Sequence, residues 1–198
     1  MKIVIDGNIG CGKSTIINRI IKTKALDLPV YNEPLNDWDD WLKLFYSDMS
    51  KYSFGFQMRV LKSHLDKKDI PYGIFERSPL SCQRIFGEML YEDNLMSDLE
   101  WKLTEEFNND YGWTPNIIIY LRSDPNICYE RINNRKRDGE EGISIEYLKR
   151  LHSKYESLYV ENNLYKIIYI DANQSIDNVY NEIMSKVINK IRFNIKYS

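Results

Sequence analysis

The sequence has few of the features that mark a secreted, membrane-bound or nucleic-acid-binding protein. Its 198 residues include only three cysteines, Cys11, Cys82 and Cys128, an odd number without C-x-x-C spacing. That usage is typical of a reduced, intracellular protein, and we expect a cytoplasmic one. The apolar run near the N-terminus is far too short for a signal peptide or a membrane span. Because the net charge is only −2, we expect neither a nucleic acid nor a membrane as a partner.

The chain also lacks linkers, internal repeats and low-complexity segments. At 198 residues it suits one domain, residues 1–198, with a sizeable core. Short apolar runs alternate with segments of helical periodicity, which predicts an α/β fold with one parallel sheet covered by helices on both faces. The five predicted strands are residues 2–6, 28–33, 72–76, 117–121 and 167–170.

What the chain does contain is a complete phosphate-loop motif. Residues 7–14 read G-N-I-G-C-G-K-S and fit G-x-x-x-x-G-K-[S/T] without a mismatch, between a predicted strand and a helix predicted over 13–24. In such loops inward-facing N–H groups and a helix N-terminus bind phosphates, the lysine attracts the β- and γ-phosphates, and the serine hydroxyl binds Mg²⁺. We therefore predict nucleoside triphosphate binding by Gly7, Asn8, Ile9, Gly10, Cys11, Gly12, Lys13, Ser14 and Thr15.

Charged residues follow the next two predicted strands where each strand ends. Glu33 follows the second strand, and Glu76 and Arg77 follow the third. Taken singly, each could be an ordinary surface charge. Because ligands of parallel α/β sheets bind beyond the carboxyl ends of the strands, however, these groups together with the phosphate loop predict an active site.

Five motifs, spread over most of the chain, resemble the deoxynucleoside kinase family. They are the phosphate loop, E-P-L-N-D-W at 33–38, F-Q at 56–57, E-R-S at 76–78, and R-I-N-N-R-K-R-D-G-E-E-G at 131–142. The resemblance implies a P-loop kinase fold and an enzyme that transfers the γ-phosphoryl of ATP to the 5′-hydroxyl of a deoxynucleoside in nucleotide salvage. It also implies Mg²⁺ as a cofactor and a homodimer.

The resemblance also implies roles for the charged residues. A hydroxyl is a weak nucleophile, so a carboxylate is needed within reach of its proton, and Glu33 matches the family's general base. By the same resemblance, Glu76 contacts the metal together with Ser14, and Arg77 orients the base and the 5′-oxygen. Residues 131–142 resemble the family's mobile, arginine-rich lid. Its Arg135 and Arg137 would close on the charge of the transferred phosphoryl group, and Arg131 would stack on the adenine of ATP.

A second set of residues resembles the family's nucleoside pocket. Gln57 matches the amide that reads the base, and a carboxamide can pair with either pyrimidine because a flip exchanges its donor and acceptor. Trp38, Phe56 and Phe86 match the aromatic residues around the base, although without Gln57 they would read as core aromatics. Tyr46 and Glu140 match the pair that binds the sugar 3′-hydroxyl.

Base preference in the family depends on two positions, which here are His64 and Cys82. Relatives that prefer cytidine or purines tend to carry Arg and Asp there, and relatives that accept thymidine tend to carry Met and Ala. This chain follows neither pattern. Because Cys82 is small and no Asp is present, we expect a pyrimidine substrate, with thymidine first.

Three alternatives remain open at this point. A purine-preferring deoxynucleoside kinase would share all five motifs. A nucleoside monophosphate kinase such as thymidylate kinase would share the phosphate loop, but Glu33 beside the acceptor would repel a phosphate dianion. A nucleotide switch or regulatory binding module would need a loop that senses the γ-phosphate, for which the sequence offers no motif.

Overall fold

The computed structural model describes residues 1–24, 26–137, 140, 142–161 and 164–196, with the side chains of the last helix described as far as 187. Five parallel strands form one sheet in the spatial order β2-β3-β1-β4-β5. They are β1 (Lys2–Asp6), β2 (Val30–Tyr31), β3 (Gly73–Glu76), β4 (Ile117–Arg122) and β5 (Ile167–Asp171). The predicted α/β fold with a five-stranded parallel sheet is confirmed.

The central strand is β1, which pairs with β3 on one side and β4 on the other. Ile3 lies opposite Ile74 of β3 and Ile117 of β4. Ile3, Val4 and Ile5 are all fully buried. Because successive side chains of a strand point to opposite faces, helices must cover both faces of the sheet here.

Helices connect the strands in chain order. They are α1 (Lys13–Thr23), α2 (Leu35–Ser47), α3 (Met49–Leu65), α4 (Pro79–Ser81), α5 (Glu88–Glu92), α6 (Asp98–Tyr111), α7 (Pro125–Arg135), α8 (Ile145–Tyr159) and α9 (Ile176–Lys196). None of the described helices combines the length and the apolar composition that a membrane crossing requires.

The second strand is shorter than the predicted run over 28–33. Only Val30 and Tyr31 pair with β3 as a strand. Pro29 has no N–H to contribute to the sheet, so its carbonyl alone takes part, accepting a hydrogen bond from Ile74 N (2.9 Å). Glu33 therefore follows the strand after one intervening residue, and Pro34 separates it from the start of α2.

Helix α7 was not predicted from the sequence. Its start is signalled by Asp124, whose side chain accepts a hydrogen bond from Asn126 N (2.8 Å), and by Pro125 in its first turn. The helix continues to Arg135 and ends at Lys136, which has a left-handed backbone (φ 46°). The first five residues of the predicted lid, 131–135, are thus helical. Within that lid, 138, 139 and 141 lie outside the described residues.

A π-helical stretch, Cys82–Gly87, joins α4 to α5. The apolar pattern over residues 80–90 predicts an ordinary helix and does not reveal that part of it is π-helical. Within this stretch the main-chain carbonyl of Cys82 accepts a hydrogen bond from Gln57 Nε2 of α3 (2.8 Å). The π-helical stretch therefore contacts a predicted substrate-binding residue directly.

Two glycines of the phosphate loop offer a test of how tightly the loop packs on α7. Gly10 (φ 80°) and Gly12 (φ 101°) both have backbones that strain a residue with a side chain. A Cβ at Gly10 would lie 2.5 Å from the Cys128 carbonyl oxygen, whereas one at Gly12 would meet nothing within 4 Å.

We expect Gly10→Ala to lower the free energy of unfolding by about 1–3 kcal/mol more than Gly12→Ala, because only the first change adds a backbone clash to the strain. The measurement is urea denaturation of both ligand-free variants. Equal losses would contradict close packing of the loop on α7.

Candidate active site

The predicted site residues converge on one cleft at the carboxyl edge of the sheet. Nearly all of them line it, together with residues that the sequence did not single out, among them Leu35, Leu42, Ile143 and Tyr147. The predicted residues that line the cleft are Ile9, Gly10, Gly12, Lys13, Ser14, Thr15, Glu33, Trp38, Tyr46, Phe56, Gln57, His64, Glu76, Arg77, Cys82, Phe86, Arg135, Arg137 and Glu140. Gly7, Asn8, Cys11 and Arg131 lie behind this lining, in or against the phosphate loop.

The phosphate loop connects β1 to α1 and is held from its inner side. Lys13 Nζ donates hydrogen bonds to the carbonyls of Gly7 (3.1 Å) and Asn8 (2.9 Å), so its ammonium group lies across the loop. The Asn8 side chain donates to the carbonyl of Leu148 (2.9 Å) and thereby fixes the loop to α8. Lys13 is buried, so its charge acts inside the cleft and not in bulk solvent.

The side chain of Glu76, at the end of β3, connects the start of α1 to the segment that follows β2. Its Oε1 accepts a hydrogen bond from Ser14 Oγ (2.9 Å), and its Oε2 accepts one from Glu33 N (3.3 Å). The predicted metal pair, Ser14 and Glu76, is therefore brought together. A hydroxyl and a carboxylate are hard oxygen donors that suit Mg²⁺, which in kinases takes its other ligands from phosphates and water. The described residues contain no cluster of three or more acidic, His or Cys side chains that would hold a metal without such help.

Glu33 and Arg77 form a buried ion pair, with Arg77 Nε 3.0 Å from Glu33 Oε1. Burial raises the pKa of the Glu33 carboxyl, and Glu76 raises it further, whereas the Arg77 guanidinium lowers it; the net direction is upward. A carboxylate of raised pKa is a stronger proton acceptor than an exposed one. Arg77 itself has a left-handed backbone (φ 58°), and its guanidinium lies 4.6 Å above the ring of Phe86.

Gln57, on α3, also lines the cleft and is almost fully buried. Its Nε2 donates to the Cys82 carbonyl (2.8 Å) and lies 3.4 Å from Cys82 Sγ. Because a carbonyl can only accept, the nitrogen of the amide must face Cys82. The second Nε2 proton is directed to Cys82 Sγ, a weak acceptor that a stronger acceptor of a ligand would displace, and Oε1 makes no hydrogen bond within the described residues.

His64 and Trp38 bring unpaired polar atoms into the same cleft. Neither ring nitrogen of His64, nor Trp38 Nε1, has a hydrogen-bond partner among the described residues, although all three atoms are buried. Burial keeps the pKa of His64 well below its usual value, so its ring is neutral. His64 Nε2 lies 3.9 Å from Glu33 Oε1, too far for a hydrogen bond. A buried polar atom without a partner is costly, so these three atoms destabilise the ligand-free protein.

The lid arginines divide between two places. Arg135 makes a bidentate pair with Glu140 (2.7 and 2.5 Å), and Arg137 lies 3.5 Å from the same carboxylate. Arg131 instead donates to the carbonyls of Ala172 (3.0 Å) and Cys11 (3.4 Å). Arg131 is thus held beside the phosphate loop, while Arg135, Arg137 and Glu140 face the cleft.

The sequence interpretation missed Asp6, the last residue of β1. It is fully buried and accepts hydrogen bonds from Gly7 N (2.7 Å), Tyr155 Oη (2.9 Å) and Tyr159 Oη (2.8 Å). The signal was present, because a carboxylate at the carboxyl end of a central strand follows the same rule that identified Glu33 and Glu76. Tyr155 and Tyr159 gave no such signal, since tyrosines on a helix face read as core residues.

Comparison with known proteins agrees with this geometry. The deoxynucleoside kinase family model matches residues 3–192. The chain is 34% identical over 188 residues to protein 029R of Invertebrate iridescent virus 3, named as a kinase, covering 92% of this chain and 93% of that protein. It is 31% identical over 232 residues to deoxycytidine kinase of Homo sapiens, covering 94% and 89%.

Solved structures show the same fold. A deoxyadenosine kinase from M. mycoides with bound dCTP superimposes with a TM-score of 0.84 at 29% identity, covering 96% of this chain and all of that one. With bound dATP the score is 0.80 at 28% identity, covering 94% and 99%. The chain therefore belongs to the deoxynucleoside kinase family and is an ATP-dependent deoxynucleoside kinase.

Proposed function

We propose that this kinase acts on pyrimidine deoxynucleosides, with thymidine as the preferred acceptor, in nucleotide salvage. The observation that carries the proposal is the orientation of the Gln57 amide, whose nitrogen faces the Cys82 carbonyl. A base whose 5-position faces Cys82 places its 4-substituent beside that nitrogen. The O4 carbonyl of thymine accepts a hydrogen bond from Nε2, whereas the amine of cytosine would meet a second donor. The small Cys82 side chain leaves room for the thymine methyl group.

A purine-preferring enzyme is the second candidate. It is favoured by the likeness to the deoxyadenosine kinase of M. mycoides. Adenine presents an amine and a ring nitrogen in the same order as cytosine, so it too would require the Gln57 amide to turn over. Turning would place Oε1 against the Cys82 carbonyl, and two acceptors in contact repel. The cost of that turn is our reason for ranking thymidine first.

In the proposed reaction Glu33 accepts the proton of the 5′-hydroxyl while that oxygen attacks the γ-phosphorus of ATP. The bond from the γ-phosphorus to the bridging oxygen breaks, and ADP leaves. Arg77 fixes the Glu33 carboxylate and keeps a positive charge beside the acceptor oxygen. Lys13 lies within the loop that would bind the β- and γ-phosphates, and their negative charge would draw its ammonium from the loop carbonyls.

The lid arginines supply positive charge where the phosphoryl group is transferred. Glu140 binds Arg135 and Arg137 and lines the same cleft as Tyr46, so a sugar 3′-hydroxyl there would compete with the two arginines for its oxygens. Binding of the substrate to Glu140 would loosen these guanidinium groups and let them turn toward the phosphates. Arg131, held against the phosphate loop, would lie over the adenine of ATP.

Ser14 and Glu76 would hold Mg²⁺ together with the phosphates. Their oxygens are 2.9 Å apart beside the phosphate loop, a donor set that fits this ion. When bound, the ion would neutralise phosphate charge. Glu76 would then exchange its hydrogen bond from the Ser14 hydroxyl for a contact with the metal.

We place the enzyme in a reducing compartment, the cytoplasm. All three cysteines are buried and unpaired. Burial raises the pKa of the Cys128 thiol to about 11, so it stays protonated and unreactive. A protein whose thiols are all free is typical of such a compartment.

The proposed active form is a homodimer. Leu99, Leu103, Phe107 and Tyr111 recur every four residues along α6 and are 38–80% exposed, which makes one apolar stripe on that helix. Stripes of this kind mark protein contacts. The family resemblance indicates that a second copy of the chain covers this stripe.

The general-base assignment predicts that Glu33→Gln lowers kcat by roughly 10²–10⁴, with a small change in the KM for thymidine. An amide keeps the shape of the side chain but cannot take the proton. Asp37→Asn, which removes an exposed carboxylate of α2, is the matched control and should keep kcat. A kcat within a few-fold of wild type for Glu33→Gln would show that another group is the base.

The base preference is tested with thymidine, deoxycytidine, deoxyadenosine and deoxyguanosine on three proteins. Wild type should prefer thymidine. The double variant His64→Arg with Cys82→Asp should shift kcat/KM away from thymidine by about 10–200-fold, because a carboxylate replaces the space for the methyl group. The matched double variant, His64→Met with Cys82→Ala, should keep thymidine first. A wild type that prefers purines would overturn the proposal.

The dimer is tested by sedimentation velocity. Wild type should sediment as a dimer, and Leu99→Glu with Leu103→Glu should sediment as a monomer, because two carboxylates would be buried at the contact. Ile176→Glu, an equally apolar exposed position at the start of α9, serves as the control and should remain dimeric. A monomeric wild type, or a stripe variant that stays dimeric, would contradict this assignment.

A further inference from the structure

We propose that Tyr155 is a positioning residue for the phosphoryl transfer, holding Arg77 against Glu33 by bridging Arg77 to Asp6. This inference rests on the proposed role of the Glu33–Arg77 pair. The Tyr155 hydroxyl accepts a hydrogen bond from Arg77 Nη1 (2.5 Å) and donates one to Asp6 Oδ1 (2.9 Å). Both contacts are buried, since Tyr155 and Asp6 are fully buried and Arg77 is nearly so.

The hydrogen-bonding chemistry of the three groups explains why the Tyr155 hydroxyl lies between the Arg77 guanidinium and the Asp6 carboxylate. A guanidinium only donates hydrogen bonds and a carboxylate only accepts them, whereas a neutral hydroxyl does both at once. The direct distance from Arg77 Nη1 to Asp6 Oδ1 is 3.6 Å, too long for a good hydrogen bond. Burial raises the pKa of Tyr155 well above its usual value, so the hydroxyl stays protonated and keeps its donor.

Arg77 requires such a support because its position is strained and its side chain is long. Its left-handed backbone is held by one hydrogen bond from its N–H to the carbonyl of Ile5 (3.1 Å). Its Nε faces Glu33 while Nη1 faces Tyr155. With both nitrogens bound, rotation about the side chain is blocked. Without Tyr155 the guanidinium keeps Glu33, the Phe86 ring and the longer contact with Asp6, but it loses the hydrogen bond that fixes Nη1.

Asp6 connects this support to the ATP site. The same carboxylate that receives the Tyr155 hydroxyl also receives Gly7 N, the first N–H of the phosphate loop (2.7 Å). Asp6 ends β1, whereas Tyr155 lies on α8, the helix that follows the lid. The arrangement therefore links the phosphate loop, the acceptor site and the helix beyond the lid through one buried carboxylate.

Tyr159 provides a matched control within the same cluster. It lies one helical turn beyond Tyr155, is equally buried, and donates to the other Asp6 oxygen (2.8 Å). Both rings pack against Tyr120, with ring centroids 5.6 and 5.4 Å away. Of these two tyrosines, only Tyr155 makes a hydrogen bond to Arg77 among the contacts of the described residues. Removing either hydroxyl takes one hydrogen bond from Asp6, but only one of the changes releases Arg77.

A fall in kcat without a matching change in KM is the readout that a purely structural role would not give. Loss of the Tyr155 contact leaves the nucleoside pocket around Gln57 in place but loosens the guanidinium that fixes the Glu33 carboxylate.

The experiment compares Tyr155→Phe with Tyr159→Phe in the full chain. Tyr155→Phe should lower the urea midpoint at least as much as Tyr159→Phe, because it removes the hydrogen bonds to both Arg77 and Asp6. Tyr155→Phe should lower kcat about 10–100-fold with the KM for thymidine within a few-fold. Tyr159→Phe should keep both kcat and KM within about twofold. Equal loss of kcat in both variants, or no loss in Tyr155→Phe, would overturn the proposal.

A double-variant cycle with Arg77→Lys tests the route of the effect. Lysine is a point charge that cannot reach both Glu33 and Tyr155, so adding Tyr155→Phe to it should lower kcat no further. A full additional loss would show that Tyr155 acts by another route.

If Tyr155→Phe fails to fold, 3-fluorotyrosine at 155 keeps the ring and the hydroxyl while weakening the hydroxyl as an acceptor. It should then lower kcat to a smaller extent, and an unchanged kcat would overturn the proposal.

Failure of this inference is distinguishable from failure of the proposed function. If Glu33→Gln lowers kcat but Tyr155→Phe does not, the base assignment stands and the positioning role falls. If Glu33→Gln leaves kcat unchanged, the base assignment falls. In that case a lower kcat in Tyr155→Phe would no longer support this route to Glu33.

Discussion

The active site depends on one buried ion pair, Glu33 with Arg77. Both groups lie at the carboxyl edge of the sheet with side chains only 8% (Arg77) and 11% (Glu33) exposed, so bulk water screens them only weakly. An unpaired charge there would be costly, and each partner offsets the burial of the other. The pair also sets the chemistry, because burial raises the pKa of Glu33 while Arg77 limits the rise. The surrounding contacts from Glu76, Tyr155 and Phe86 fix these two side chains.

Much of the fold follows from local sequence signals. The glycines, Lys13 and Ser14 identify the phosphate loop. The apolar run before it and the helical periodicity after it predict the strand and the helix that it connects. The convergence of Glu33, Glu76 and the loop follows from topology alone, since parallel strands end at one edge. Gln57 and Cys82 are 25 residues apart, and the motif resemblance placed both in one pocket, where they prove to be in contact.

The features that the sequence did not predict depend on contacts between elements that are distant in the chain. Helix α7 escaped prediction because its charged C-terminal residues resemble an exposed lid, although Asp124 and Pro125 mark its start. The apolar pattern around Cys82 did not reveal the π turn, which places the carbonyl that orients Gln57. The link from Asp6 to Tyr155 spans 149 residues and joins groups that each read as ordinary core or strand-end residues. Only the packed structure shows that Tyr155 also contacts Arg77.

The central claim is that Glu33, supported by Arg77, accepts the proton of the acceptor hydroxyl. Its most direct test is the pH dependence of single-turnover phosphoryl transfer to thymidine in the wild-type enzyme, measured by rapid quench. The rate should fall as the pH drops through one group whose pKa lies above the ordinary glutamate value of 4.5. A rate that is independent of pH through this region, down to the onset of acid unfolding, would contradict the account.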